Sequence, residues 1–337
     1  ISDGQLARLL KIRKESPDSI ELIDKGILSI NQAYLLTQRN NKEVKSRSTV
    51  NLDWDEKSNS EDFRFFQKSS ETMSELRDEE IDLILTSPPF YKLRSYSDND
   101  ILGNENSPEH YIENLVHHLH DECWRVLRND GNFFLELGDT FIGGCLQNIP
   151  HRVAIELNKR GWIQRNSIIV KRKNPKPSSS KSNLTPSYSL LFHFTKTLEY
   201  NYQRTLTEIS SLTKPSHPPR HRVIDNQTIR NTSPYIPNKQ GKNIGDFLDN
   251  DIMNVAVSNQ KYSNKIEHPA TFPQQLVWLI INSTVYLPFV GKQYSPTVLD
   301  PFAGALGTYK GIQWFNSNFD CNIQFVGYDL KCWFDAG

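Results

Sequence analysis

An α/β fold on a mostly parallel sheet is what this sequence predicts, and three observations carry it. From Phe63 to Tyr328, apolar runs of strand length alternate with amphipathic runs of helix length. Two of the strand-like runs, Ile81 to Leu85 and Thr297 to Asp300, lead directly into proline-bearing loops. The 337 residues, 37% hydrophobic and 11% aromatic, can bury the core of one large α/β domain with insertions, or of a domain with a small accessory module.

Taken in order, Asp3 to Arg39 reads as three short amphipathic helices. Their apolar positions are Leu6, Leu9, Leu10 and Ile12, then Ile20, Leu22 and Ile23, then Ile30, Ala33 and Leu36, with Gly26 as a break. This helical segment, residues 1–48, is faintly similar to a helix-turn-helix element and equally suits a cap on the main domain. Asn40 to Asn59 is polar, lacks periodicity and reads as a linker. The main domain, residues 61–330, opens with a strand near Phe63 to Gln67 and the apolar run Ile81 to Leu85. A helix follows from Pro108 to Arg128, with Pro108 suited to its first turn and Asn129-Asp130-Gly131 expected to stop it before a strand Asn132 to Leu137. Next come a helix near Ile149 to Arg160, a strand Ser167 to Arg172 and a strand Ser189 to Thr195. The rhythm lapses in a Pro-, Asn-, Ser- and Lys-rich stretch, Arg204 to Asn264, which marks residues 200–265 as a candidate DNA-recognition insert. Order resumes with a helix Phe272 to Val285, a strand Thr297 to Asp300, a helix near Thr308 to Phe315 and a strand Gln324 to Tyr328.

Net charge is zero, but it is unevenly spread. From Leu157 to Gly245 there are sixteen Lys and Arg against three acids, Glu199, Glu208 and Asp225, and the rest of the chain carries the balancing negative charge. That stretch also holds Tyr188, Tyr200, Tyr202 and Tyr235, a combination suited to neutralising phosphates and touching bases, so double-stranded DNA is the expected partner. Lys171, Arg172, Lys173 and Lys176 are the candidate DNA contacts. No run approaches the length of a membrane-spanning helix, and Ile1 to Arg8 lack the layout of a signal peptide. Cys123, Cys145, Cys321 and Cys332 show neither paired spacing nor matched histidines, so no metal site and no disulfide framework is expected. With Ile1 in first place an initiator Met is taken to have been lost, and an intracellular, DNA-associated protein is the expectation.

Two motifs carry chemistry. Thr86-Ser87-Pro88-Pro89-Phe90 follows the strand Ile81 to Leu85; two consecutive prolines fix φ and remove two N–H donors, so the strand must end in a stiff loop. That loop presents a hydroxyl, a carbonyl and an aromatic ring. An exocyclic amine on a base is a poor nucleophile because its lone pair is delocalised into the ring. Acceptors for its N–H protons, here Ser87 Oγ and the Pro88 carbonyl, favour a tetrahedral nitrogen, and Phe90 can stack on the extruded base.

The second motif, Val298 to Thr308, lies at a strand end and opens a helix. Gly304 and Gly307 let backbone approach a ligand, Asp300 can receive a cationic amino-acid group, and Phe302 and Thr308 flank them. Asp329, after the next strand, can hold ribose hydroxyls. The phosphate-cradling G-x-G-x-x-G and the P-loop are both missing, which favours a cofactor bearing an ammonium and a ribose over one bearing phosphates.

With the stretch His268-Pro269-Ala270-Thr271-Phe272-Pro273, these motifs resemble the amino-methyltransferases of DNA over roughly Glu61 to Leu330. Gly138-Asp139-Thr140, Asn174-Pro175-Lys176-Pro177-Ser178 and Phe192-His193-Phe194-Thr195-Lys196 extend the likeness. The resemblance implies a doubly wound, mostly parallel seven-stranded sheet and S-adenosyl-L-methionine as cofactor. The catalytic tetrapeptide precedes the glycine motif, the order of the circularly permuted β class, many members of which are dimers. It implies Ser87, Pro88, Pro89 and Phe90 as catalytic residues. For the cofactor it implies Asp300, Phe302, Gly304, Gly307, Thr308 and Asp329, with His268, Pro269, Phe272 and Pro273. In these families Ser-Pro-Pro with an aromatic is typical of cytosine-N4 enzymes, whereas adenine-N6 enzymes more often carry Asp or Asn at the place of Ser87. Site-specific methylation of cytosine N4 is therefore the expected activity; the competing readings are adenine-N6 methylation and DNA binding with weak or no activity. Carbon-5 methylation needs a nucleophilic cysteine after proline, and none of the four follows one. One departure stands out. The family spaces its glycines as G-x-G, and Gly304-Ala305-Leu306-Gly307 has an extra residue.

Overall fold

A computed structural model describes residues 62–92, 102–172, 182–204, 245–248, 274–289, 293–319 and 321–330, with shorter pieces at 9, 11–13, 20, 23, 206–207, 221–224, 227–230 and 242–243. The chain divides into two compact units, Ile1–Val50 with Arg204–Gly245, and Asn51–Gln203 with Asp246–Gly337. In the first, the described residues before position 24 are helical. Its described strands form two antiparallel pairs, β8 (Leu206–Thr207) with β11 (Lys242–Asn243) and β9 (His221–Ile224) with β10 (Gln227–Arg230). Most of the helical segment and of the candidate insert lies outside the described residues.

The second unit holds the sheet. Its strands are β1 (Phe63–Phe66), β2 (Ile81–Thr86), β3 (Leu127–Leu137), β6 (Ile163–Lys171), β7 (Tyr188–Thr195), β12 (Phe247–Leu248), β13 (Thr297–Asp300) and β14 (Gln324–Tyr328). They run in the order β1-β14-β13-β2-β3-β7-β6-β12, so seven strands of four residues or more carry a two-residue eighth at one edge. All neighbours are parallel except β7, which is antiparallel to both β3 and β6. All six residues of β2, IDLILT, are buried, as befits a central parallel strand covered on both faces.

The longest helix, α1 (Pro108–Val126), follows directly from its sequence. Ser107 accepts the His110 amide at 3.2 Å as N-cap, Pro108 occupies the first turn, and Tyr111, Ile112, Leu115, Val116, Leu119, Cys123 and Val126 form its buried stripe. It ends at Val126, two residues before the expected Arg128, and Asn129-Asp130-Gly131 lies within β3 instead of between helix and strand. A register shift explains this. Ile81 pairs with Leu127 and Leu83 with Asn132, so Arg128 to Gly131 form a bulge, in which Arg128 Nε bonds Asp130 Oδ1 at 2.8 Å.

Two other boundaries differ. β6 starts at Ile163, four residues before Ser167, because β7 offers a ladder as far as Thr195, its partner. The expected helix Phe272 to Val285 is α3 (Gln274–Ile281) followed by a π turn, Asn282–Tyr286. There Thr284 Oγ1 donates to the Ile280 carbonyl at 2.7 Å, competing with the regular ladder. The remaining helices are α2 (Ile149–Lys159) and α4 (Gly307–Asn318), and β4 (Phe141–Ile142) with β5 (Cys145–Leu146) makes a small hairpin. Among the described residues no helix is long and apolar enough to cross a membrane.

Candidate active site

β2 and β13 are parallel neighbours, Val298 beside Leu83 and Leu299 beside Ile84, so the loops that follow them leave the same edge of the sheet. This joins two motifs more than two hundred residues apart. Thr86, the last residue of β2, donates Oγ1 to Asp300 Oδ1 at 2.8 Å. The same oxygen accepts the Phe302 amide at 3.1 Å, and Asp300 Oδ2 accepts Thr308 Oγ1 at 2.7 Å. Asp300 is only 2% exposed. Its carboxylate is thus turned inward, engaged by three donors that shape the glycine-bearing loop.

Burial outweighs those donors and pushes the Asp300 pKa up to about 6 from 3.8. The folded state therefore binds this proton more tightly than the unfolded chain. The stabilisation, about 3 kcal/mol for a shift of that size, is complete below pH 4 and is lost as pH rises through 6. Asp300→Asn is expected to fold at least as well as the parent at pH 7 and to lose this pH dependence. Asp300→Ala, which orphans two hydroxyls and an amide, should cost roughly 3–5 kcal/mol. Denaturation curves from pH 4 to 8 would check both; a marked loss of stability in the Asn variant would show that the charge itself is required.

Asp329, just beyond β14, accepts the Gly304 amide on Oδ2 at 2.9 Å, and the Ala303 amide bonds the Tyr328 carbonyl at 2.8 Å, so the glycine loop is strapped to the next strand. The extra residue of the G-x-x-G is absorbed at Leu306, which takes a left-handed conformation (φ 59°, ψ 38°) as the N-cap of α4 and sends its amide to the Ala303 carbonyl at 2.8 Å. Such a conformation costs a bulky residue about 1–2 kcal/mol. Lys310 Nζ closes the loop from the first turn of α4 on the Ala305 carbonyl (2.9 Å), and burial brings its pKa down to about 8. Phe302 stays half-buried, tilted on His118 of α1 with ring centroids 5.4 Å apart.

On the β2 side, Tyr111 of α1 donates its hydroxyl to the Pro89 carbonyl at 2.8 Å and pins the proline loop. The Phe90 ring lies on the backbone of Gly138, just after β3. A Cβ at 138 would stand 2.7 and 2.8 Å from ring carbons of Phe90, so only glycine permits this contact. The Arg172 guanidinium sits 6.0 Å from the Phe90 ring centroid, at cation–π range.

The residue that the sequence reading missed is Glu136. Its carboxylate, on β3, accepts Ser189 Oγ from β7 at 2.5 Å and lies near enough to Ser87 for that hydroxyl to lower its pKa. Enclosure of the carboxyl raises its pKa above the ordinary 4.5, against the bond from Ser189, the Arg172 charge and the Ser87 hydroxyl nearby. The signal was an acid inside the apolar run Phe133 to Leu137. The structure thus brings together Ser87, Phe90, Glu136 and Arg172 on one side, and Asp300, Phe302, Gly304, Gly307, Thr308 and Asp329 on the other. Lys171 is exposed at the end of β6. Lys173, Lys176, His268, Pro269, Phe272 and Pro273 lie outside the described residues.

The donors present fit an adenosyl amino acid. Asp329 offers a carboxylate at a strand end, the Ala303–Gly307 turn brings backbone to the start of α4, and Phe302 adds an apolar ring, with no nest of glycine amides for phosphate among the described residues.

A sheet of this order, with a proline-locked polar loop beside a glycine-bearing turn, defines a methyltransferase frame. The chain belongs to the DNA methylase family, whose model of N6 and N4 enzymes matches residues 81–330. S-adenosyl-L-methionine is the methyl donor of that family. Relatives include the type II methyltransferase M.SfiI of Streptomyces fimbriatus, 32% identical over 151 residues (40% of this chain, 36% of that one), and M.SmaI of Serratia marcescens, 27% identical over 196 residues (49% and 65%). The chain thus spans from about a third to under two thirds of these relatives' length. Among solved structures, PvuII DNA methyltransferase (cytosine-N4-specific) shares the fold, with a TM-score of 0.54 over 80% of this chain and 82% of that one at 18% identity.

Proposed function

We propose that this protein transfers a methyl group from S-adenosyl-L-methionine to the exocyclic N4 of a cytosine turned out of duplex DNA at a specific sequence. The observation that carries this reading is the placement of the Ser87 hydroxyl beside the Glu136 carboxyl, close enough to lower its pKa, at the base of the proline loop. An ionised Glu136 receives the Ser87 hydroxyl proton, which leaves the Ser87 oxygen lone pairs to accept from an amine. Phe90, held on Gly138, stacks on the base. The bound cofactor supplies an electrophilic methyl. As the amine nitrogen gains positive charge, its bond to Ser87 strengthens, and Glu136, with its raised pKa, is suited to take up the departing proton through Ser87.

Position 87 also supports cytosine over adenine. An aspartate there would face the Glu136 carboxylate, and two adjacent carboxylates cannot both ionise cheaply, whereas a serine hydroxyl suits that neighbour. Arg172 beside Phe90, and the basic surplus from Leu157 to Gly245, support a polyanionic substrate. Mass spectrometry of nucleosides from DNA treated with enzyme and cofactor tests the assignment. N4-methylcytosine is expected; N6-methyladenine would replace the substrate, and no modified base would overturn the activity.

The pH dependence has a fixed sign. Protonating Glu136 removes its capacity to take up the departing proton and lets it donate to Ser87 instead, so kcat should fall as pH drops through a pKa above 4.5. Glu136→Gln should lower kcat and flatten that acid limb. A variant profile with the limb unmoved would assign it to another group.

A further inference from the structure

The β4–β5 hairpin exposes apolar side chains beside the site. Phe141, Ile142 and Leu146 are 37%, 40% and 45% exposed, around a Gly143-Gly144 turn in which both glycines have positive φ. A β-strand pair of two residues each has no fold-level need for three large apolar groups in water, and the turn adds no polar side chain. Two more exposed apolar residues lie on the segment that faces it, Leu184 at 92% and Tyr188 at 50%. Asn183 Nδ2 joins that segment to the hairpin through the Gly144 carbonyl at 3.2 Å.

The hairpin is held firmly at its base. Asp139 Oδ1 accepts the amides of Thr140 at 2.9 Å and Ile149 at 3.2 Å, and the Gln147 amide bonds the Thr140 carbonyl at 3.1 Å. Its place relative to the base site is set by the chain. Gly138 touches the Phe90 ring, and three residues span at most about 10 Å, so the backbone of Phe141 stands within that reach of Gly138. Arg172 stands 6.0 Å from the centroid of that ring, and the sequence from Leu157 to Arg204 carries ten Lys and Arg against one acid.

An apolar tip on the strand end that carries the Phe90 contact, with Arg172 over that ring, fits one occupant. We infer that Phe141 and Ile142 enter the base stack of duplex DNA beside the extruded nucleotide and fill the space it leaves. Apolar side chains inserted between base steps compensate unstacking that phosphate contacts cannot. A second copy of this chain or another protein would have no reason to follow the state of the target base pair. The inference rests on the proposal that the target base is turned out, and its test separates the two.

The test uses a short duplex carrying the sequence that mapping of methylated bases returns, once with the target base correctly paired and once mismatched. Phe141→Ser/Ile142→Ser should bind the paired duplex about tenfold more weakly than the parent and the mismatched duplex nearly as well, since the mismatch has already opened the stack. Equal loss on both would make the hairpin a general contact, and no loss on either would remove it from the interface; each overturns the inference. A Phe141→Trp variant keeps an aromatic wedge and reports insertion by quenching of its fluorescence, which serves if the double variant fails to fold; no quenching by either duplex rejects insertion. 2-Aminopurine at the target position checks the underlying reading separately. If the parent enzyme leaves its fluorescence unchanged, base extrusion fails, whatever the hairpin does.

Discussion

Ser87→Ala is expected to lower kcat by roughly 10²–10³-fold while leaving affinity for DNA within about threefold. The reason lies in what the hydroxyl does at each stage. In the ground state the amine has water and its ring to satisfy it, so Ser87 adds little to binding. In the transition state the nitrogen gains positive charge, and an acceptor backed by the Glu136 carboxylate holds it more strongly. Removal also strands Glu136 with Ser189 as its remaining serine partner. Single-turnover methylation rates together with DNA titrations check this. A loss confined to DNA affinity, with the rate at saturation intact, would make Ser87 a binding residue and return the catalytic role to the proline-loop carbonyls. Ser87→Asp is expected to be no better than Ser87→Ala, because the new carboxylate would face Glu136.

The second large effect is expected at Asp329. Its carboxylate receives the Gly304 amide and is proposed to hold the ribose hydroxyls of the cofactor, so Asp329→Ala loses a charged acceptor and loosens the glycine loop together. A loss of about 10–100-fold in affinity for S-adenosyl-L-methionine follows from one or two charge-assisted bonds. Asp329→Asn keeps an oxygen for Gly304 and should fall between alanine and parent. Calorimetric titration with the cofactor, on variants whose melting shows an intact fold, is the measurement. Unaltered affinity in the alanine variant would move the cofactor elsewhere.

The legible parts of the site share one property: their chemistry depends on local sequence. Two adjacent prolines stop a strand wherever it lies, so Ser87 to Phe90 could be placed at a strand end with no knowledge of the neighbouring strand. Ser107 and Pro108 likewise set the start of α1 through contacts within one turn. The end of α1 was misjudged because Asn129-Asp130-Gly131, a strong turn signal, is held in β3 by pairing with β2. Propensity alone cannot register a partner strand.

By itself, then, the sequence determined the alternation of strands and helices, the two loops that carry chemistry, and the order in which they come along the chain, because these follow from backbone restriction and side-chain periodicity within a few residues. Only the tertiary structure decided that β13 lies against β2 and so brings Asp300 to Thr86. It also decided that Asp300 is spent inside the loop while Asp329 straps its rim, and that Glu136 reaches Ser87. Each of these depends on which strands become neighbours. Strand order is set by burying a whole sheet between helices, a condition met by residues from both ends of the domain together and by no short segment alone.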